Sequence, residues 1–567
     1  MMFILIRLAK VLTVLFVLLC LFNTIMAQDI DELKKAKPIS WRGTIGSNAT
    51  AYIMNGAGRR MNPFHYSFFG SININVKENF DVPLSFSYNQ FGFNVDRPFY
   101  QLGISPKYKS FQLHLGHRNM HFNSYSLAGH TFFGVGVDYN PGKFRFSAMR
   151  GRLRQSILID QTQVGEFLNP QFKRTGYGFK IGVGTFNNFI DLMLFNAKDD
   201  PNSVEGWENM AYQNTISGLT GEFAPAENVV IGLTSKVTLF GRVTWLTEAG
   251  GSFYTENTTS RAISDFSLLV TPKSSSVFKW AGKTSLNFNI GPVQMVSAYE
   301  RILPEYFSMG IYNFINDMEN ITFSPSAALW QGKVFVSTMI GIQRNNLEGN
   351  RSETTRRLIN TVNMTIAPDP RYGMAINYTN FTFNQQPQAI ILDDSLLIKQ
   401  VNRSLSLMPY FNIANDSVSQ QSINAVFIRQ EAEDLNPITR DFGSLLTWMA
   451  TSSYTYSQIG GMQYTVGANL TFLKSAFLQS QLRGLSLGIG KSLPEKGIQL
   501  DLNTQINSTL VDGTSDGSLV NTSLSGNWTF AERHSVRVNL NWLRSSSQQF
   551  ESYNEFIFNL GYAYVIR

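Results

Sequence analysis

A closed antiparallel β-barrel that spans a membrane is the fold this sequence predicts, and three observations predict it. The 567 residues are only 15% charged but 13% aromatic, with 44 glycines and 44 phenylalanines. Soluble domains average about 25% charged residues, so this surface does not look built for water. Yet mean hydropathy is only −0.10, as expected when apolar and polar residues alternate and cancel. Alternation with period two is the second observation, and connections that alternate between short and long are the third. Past the N-terminus no run approaches the roughly 20 apolar residues of a spanning helix, and neither disorder nor collagen-like repetition fits.

Taken in chain order, Met1–Lys10 carries Arg7 and Lys10, Val11–Phe22 is apolar, and Ile25-Met26-Ala27 precedes Gln28. Charged, apolar and small-residue regions in that order predict a secretory signal peptide over 1–27. The apolar stretch is short for a spanning anchor, and Leu19 before Cys20 lacks the small residue that a lipidation site wants. Cleavage after Ala27 removes the only cysteine, which excludes disulfides, thiol nucleophiles and cysteine-based metal sites from the mature chain. The formal charge of +7 includes Arg7 and Lys10, and what remains is too modest to suggest nucleic acid. Residues 28–38 form a short periplasmic or luminal segment, with Asp29–Lys37 as one amphiphilic helix at the lumen mouth. They leave no room for periplasmic repeat domains or a plug domain, and 39–567 is expected to be barrel.

Strand patterning is explicit. Ile498, Leu500 and Leu502 alternate with Gln499, Asp501 and Asn503; Val536, Val538, Leu540 and Trp542 with Arg537, Asn539 and Asn541. Leu286, Phe288 and Ile290 stand against Ser285, Asn287 and Asn289, and Ile72, Ile74 and Val76 against Ser71, Asn73 and Asn75. The polar face is amide and hydroxyl rather than Lys and Glu, which suits a wet lumen. Short turns are expected at Lys77–Asp81, Asn140–Lys143, Thr185–Asn188, Ala224–Asn228, Gly291–Pro292, Pro368–Arg371, Pro494–Gly497 and Ala531–His534. Longer polar segments are expected at Leu153–Lys173, Pro201–Gln213, Glu256–Ser276, Ile302–Asn316, Asn346–Thr354 and Glu431–Asp441. Short periplasmic turns and longer extracellular loops are the pattern of outer-membrane barrels. The reading is therefore all-β, an up-and-down transmembrane barrel of about 26 strands, within a range of 22 to 26. The final segment Tyr553–Arg567 alternates Phe556, Phe558, Leu560, Tyr562, Tyr564 and Ile566, and Trp330, Tyr372 and Trp528 fit interfacial girdles.

Signal peptide, cysteine-free barrel and aromatic terminal strand resemble an outer-membrane barrel protein of the Bacteroidetes type. The stretch Leu113-His114-Leu115-Gly116-His117-Arg118-Asn119-Met120, with Tyr125-Ser126-Leu127-Ala128-Gly129-His130-Thr131 and Asn140-Pro141-Gly142-Lys143-Phe144-Arg145-Phe146, is similar to uncharacterised members of that group. The resemblance implies an outer-membrane location and recognition of the terminal strand by barrel-assembly machinery. It implies no activity.

Candidate chemistry is sparse. There is no glycine-rich phosphate loop, His-Glu-x-x-His or Gly-x-Ser-x-Gly. No catalytic residue, cofactor or metal is assigned. His114, His117, His121 and His130 are clustered, but His114 and His117 are three apart and face opposite sides of one strand, so interface and loop histidines are the favoured reading. His65 and Ser67 share a strand face, as a base and a serine nucleophile would. With apolar parity facing lipid, Arg118, Asp138, Arg145, Asp191, Lys283, Glu300, Asp501 and Arg537 point inward and are the candidate lumen and selectivity residues. A four-residue turn at Asn140–Lys143 would set Asp138 opposite Arg145. Basic loop residues Arg59, Arg60, Arg150, Arg152, Arg154, Lys173, Arg174, Arg351, Arg356 and Arg357 are candidate contacts for lipopolysaccharide phosphates or other anions, or simply a solvated face.

A barrel this large has a water-filled lumen unless something fills it, and Leu153–Lys173 and Glu256–Ser276 are the loops expected to fold inward. The leading expectation is an unenergised channel or substrate-selective pore for small polar solutes. The alternatives are a non-conducting scaffold or accessory subunit of an outer-membrane secretion, assembly or motility complex, with protein partners in the outer membrane or periplasm, and lastly a lipid hydrolase.

Overall fold

A computed structural model describes residues 39–567 except 77–79, 90–99, 158–170, 210, 214–219, 264–269, 313, 352, 388–397 and 549–550. The expected signal peptide and the 28–38 segment lie outside the described residues. Strand follows strand from Ile39–Asn55 to Tyr553–Ile566, each pairing antiparallel with the next, and these two pair with each other to close the ladder. Tyr100–Ile104 and Lys107–Tyr108 are two pieces of one interrupted strand, since both lie between Phe80–Asn89 and Phe111–His121. The result is a closed 26-stranded barrel. Closure leaves no unpaired edge, which is the condition for placing β-structure in hydrocarbon.

The alternation sorts the wall into two faces. Ile72 and Ile74 stand outside with Phe64 and Phe68, and Leu500, Leu502 and Ile506 are exposed on the outer face of Ile498–Val511. Asn73, Asn503, Gln505 and Asn507 face inward between them. At one end the connections are tight. Gly291-Pro292 is a two-residue hairpin between Ile290 and Val293, with Gly291 at φ 56°, a positive φ that glycine adopts without strain at the first position of such a turn. Trp330, Tyr372 and Trp528 are exposed at this short-turn end, where interfacial aromatics belong.

Ala224–Asn228 is not a turn. The strand Glu227–Leu239 begins there and pairs with Phe189–Asp199, so residues 200–226 form one long connection at the opposite end, and the tight turn lies at Phe240–Arg242. That connection holds two short 3-10 turns, Pro201–Ser203 and Trp207–Asn209, and a small hairpin, Ala211–Gln213 with Thr220–Glu222. Between Ser444 and Leu493, where turn signals are weak, the strands are Leu445–Gln458, Met462–Lys474 and Gln479–Leu493. Not every loop-end connection is long, since Asp512-Gly513 joins Val511 to Thr514 directly.

The expected pairing of Asp138 with Arg145 does not form. Tyr139 pairs with Phe146 and Asp138 with Ser147, two residues further along. Phe144 and Arg145 already pair with the following strand, at Val183 and Gly182. A two-residue slip keeps every side chain on its face, so the alternation could not detect it.

The hydrophobic core lies inside the barrel. Met120, Phe132, Met149, Leu153, Met193, Phe195 and Ala197 project from the inner wall and close over Phe122, Leu127 and Met309. They come from one arc of neighbouring strands between Phe111 and Asp199. Burying such side chains contributes about 1.5–3 kcal/mol each, enough to fix the segments they enclose.

Candidate functional site

Among the described residues, two connections at the long-loop end turn into the lumen, and neither is a loop expected to do so. One is the tip between Phe111–His121 and Ala128–Tyr139. The other is 303–317, between Val293–Ile302 and Met318–Leu329. They bond to each other first. Leu127 and Gly310 form a parallel bridge, the Ala128 amide donates to the Gly310 carbonyl at 3.1 Å, and the Tyr306 phenol donates to the Tyr125 carbonyl at 2.7 Å.

Then they bond to the wall. The Asn123 amide donates to Ala249 O at 2.9 Å, the Ser124 hydroxyl to Glu248 at 2.7 Å and the Tyr125 phenol to Glu300 at 2.7 Å. Ser252 donates to Phe307 O at 2.6 Å, and Asn228 Oδ1 accepts from the Met309 amide at 3.1 Å. The ring of Tyr312 stacks on His130 with centroids 4.0 Å apart. Burial, and after it the Glu300 carboxylate, pushes the Tyr125 phenol far above the usual tyrosine range, and burial raises Tyr306 as well. Of the loops expected to constrict the lumen, Leu153–Lys173 and Glu256–Ser276 lie partly outside the described residues. Their described ends pair with themselves, Ile157 with Gln171 and Ala262 with Lys273.

The wall is carved to receive these segments. A Cβ on Gly136 would lie 2.5 Å from Met120 Sδ, on Gly178 2.7 Å from Phe122, and on Gly232 2.8 Å from Asn123 Nδ2. On Gly250 it would lie 2.6 Å from the Tyr306 hydroxyl and 2.9 Å from Tyr125 Cβ. These are inward positions, as their neighbours Val135, Tyr177, Phe179 and Ile231 are exposed outside. The sequence held a signal for this: Gly176, Gly178, Gly182 and Gly184 occupy inward positions of one strand. A wall without side chains must be filled by something else.

The expected lumen charges separate into three groups. Arg118, Asp138, Arg145 and Asp191 are tied within the filled arc. Arg118 donates to Ser85 Oγ at 2.7 Å and to Pro83 O at 3.1 Å. Asp138 meets His114 Nε2 at 2.8 Å and accepts from the Ser147 hydroxyl. Arg145 makes a bidentate pair with the buried Asp191 at 2.7 and 2.9 Å. Lys283 lies in register between Glu248 and Glu300, the two carboxylates that anchor Ser124 and Tyr125. Asp501 and Arg537 face the opposite arc. Gln499 donates to Asp501 at 3.2 Å, and Arg537 is exposed with no acidic partner among the described residues.

The basic residues are also divided. Arg59 is exposed, and Arg60 lies over the Tyr553 ring at 4.9 Å. Arg150 is exposed on the outer face, with Arg152 over Phe133 at 5.3 Å. Arg154 and Arg174 both turn to the buried Asp199, at 3.6 and 2.8 Å, and a register shift beside Leu153 makes this possible. Lys173 pairs with Asp200 at 3.9 Å and Arg351 with Asp317 at 2.8 Å. Arg356 is exposed on the outer face, whereas Arg357 lies 4.8 Å from the Phe383 ring and donates to Gln343.

The histidines do not converge. His114 bonds to Ser105 and Asp138, His117 packs against Phe133, and His130 stacks on the inward loop. No metal-competent group of His, Cys, Asp or Glu occurs among the described residues. His65 and Ser67 do share one face, beside Thr50 and Asn48 in register, and it is the inner face.

No family model and no curated protein matches the chain. Among solved structures, a variant of OccD1 (OprD) is 11% identical with a TM-score of 0.31, covering 60% of this chain and 91% of its own. Pseudomonas aeruginosa OccK9 is 10% identical with a TM-score of 0.29, covering 75% and 96%. The FrpB iron transporter of Neisseria meningitidis is 10% identical with a TM-score of 0.35, covering 95% and 83%. At these values no function passes from them to this chain.

Proposed function

We propose that the chain is an integral outer-membrane channel through which small polar solutes diffuse without energy coupling. The observation that carries this is the asymmetry of the lumen. The arc between Phe111 and Met318 is packed, but on the opposite arc Ser71, Asn73, Gln463, Gln499, Asn503 and Arg537 face inward and are exposed. A wall of amides and hydroxyls exchanges hydrogen bonds with passing solutes at little cost, because each lost water contact is replaced. The inward segments narrow the passage rather than forming a separate domain. The apolar outer face and closed ladder support membrane insertion, and the aromatic strand Tyr553–Ile566 supports delivery by barrel-assembly machinery.

The test is single-channel recording from purified protein in planar bilayers. Stable open steps are expected, with Arg537→Glu moving the reversal potential toward cation preference. Silence from folded, heat-modifiable protein would overturn the channel. The inward segments also favour a second reading, a scaffold whose lumen is closed in the resting state. Its mark is silence together with stable co-purification of an outer-membrane or periplasmic partner.

A further inference from the structure

We infer that the outer face carries a binding site for phosphate groups of an anionic membrane lipid, on a row of cations just below the long loops. Arg301, Glu319, Arg344, Arg356, Asn384 and Lys399 are consecutive register partners on six neighbouring strands. At about 4.8 Å per strand the row is roughly 24 Å long. It faces outward, because Ile302 and Met318, adjacent in sequence to Arg301 and Glu319, point into the luminal core. Two positions along the strands, the outward residues are Tyr299, Ile321, Ile342, Leu358, Thr382 and Val401, of which Ile321, Ile342 and Leu358 are exposed and apolar. The cations therefore stand where the apolar band ends, at the level of lipid head groups.

The row holds four cations and one acid. Glu319 is shared by Arg301 at 3.2 Å and by Arg344, and it also accepts from the Tyr299 hydroxyl at 2.8 Å. Arg356 and Lys399 have no acidic partner among the described residues. Arg344 and Arg356 are direct cross-strand neighbours, an arrangement that is unfavourable for like charges unless an anion lies between them. Guanidinium pairs bind phosphate oxygens bidentately, and a cation facing lipid is cheap only near the interface. A phosphorylated lipid head group meets all these conditions. The site rests on the outer face being covered by lipid and is independent of whether the lumen conducts.

The test is native mass spectrometry of the full chain released from phosphatidylcholine nanodiscs containing lipid A. Each arginine near an anionic surface contributes about a fivefold factor. Arg356→Gln, which breaks no side-chain hydrogen bond or ion pair among the described residues, should lower lipid A retention roughly fivefold, and Arg344→Gln with Arg356→Gln roughly 25-fold. Arg537→Gln, which faces the lumen, should retain lipid A as the unaltered chain does. Unchanged retention in the double variant would overturn the site, as would displacement by millimolar inorganic phosphate, which would mark a free-anion site. A chain that fails to enter nanodiscs would overturn the membrane reading as well, so the two failures are distinguishable.

Discussion

Gly250→Ala tests whether the inward segments are seated against the wall as a unit. The new Cβ would lie 2.6 Å from the Tyr306 hydroxyl and 2.9 Å from Tyr125 Cβ, where ordinary contacts begin near 3.4 Å. Tyr306 and Tyr125 are buried, so the rings have nowhere to retreat without losing the bond from Tyr306 to the Tyr125 carbonyl. Overpacking of this kind costs about 1–3 kcal/mol, and the lost hydrogen bond about 1 kcal/mol. A total of about 2–4 kcal/mol changes the ratio of seated to unseated segments roughly 30- to 800-fold. The control is Gly282→Ala on the adjacent strand, whose Cβ would meet nothing nearer than 3.4 Å. Single-channel conductance should rise in Gly250→Ala and proteolysis within 303–317 should accelerate, with Gly282→Ala unchanged in both. Matching behaviour of the two variants would refute the seating argument.

Three further outcomes are expected. Arg145→Met leaves the buried carboxylate of Asp191 without its bidentate partner, so the thermal unfolding midpoint should fall by the equivalent of about 3–5 kcal/mol, while Asp191→Asn with Arg145→Met recovers part of it. Phe195→Ala removes a fully buried ring from the luminal core. It should cost about 3–5 kcal/mol, seen as a lower heat-modification temperature on gels, and an unchanged temperature would place the ring outside any cooperative core. The raised phenols of Tyr125 and Tyr306 bind their proton more tightly when the segments are seated than when they are free. Seating is therefore fully stable below the ordinary tyrosine range and weakens as pH rises above about 10. Proteolysis of 303–317 should accelerate there, less steeply in Tyr125→Phe with Tyr306→Phe, and equal slopes would assign the effect to other groups.

Much of the wall was legible in the alternation. Period two assigns a side chain to a face without reference to any partner, so the outward Ile72, Leu500 and Leu540 and the inward Asn73, Asp501 and Arg537 follow from local sequence alone. Tight turns carrying glycine or proline, such as Gly291-Pro292 and Pro494–Gly497, were legible for the same local reason. Ala224–Asn228 misled because its Pro225 and Asn228 look like turn residues, whereas the chain there is returning from a long excursion to pair with Phe189–Asp199.

What the sequence by itself determined was which side chains face outward and which inward along each strand, an apolar outer face and an amide-rich inner one, because facing depends on neighbours one or two residues apart. Only the tertiary structure decided which register Asp138 takes, since slips of two residues are invisible to parity. It also decided that Arg154 and Arg174 converge on Asp199, and that Asn123, Tyr125 and Tyr306 enter the lumen. Tyr125 and Glu300 are 175 residues apart, and only closure of the barrel brings the strand bearing Glu300 within reach of a tip that begins at Phe122.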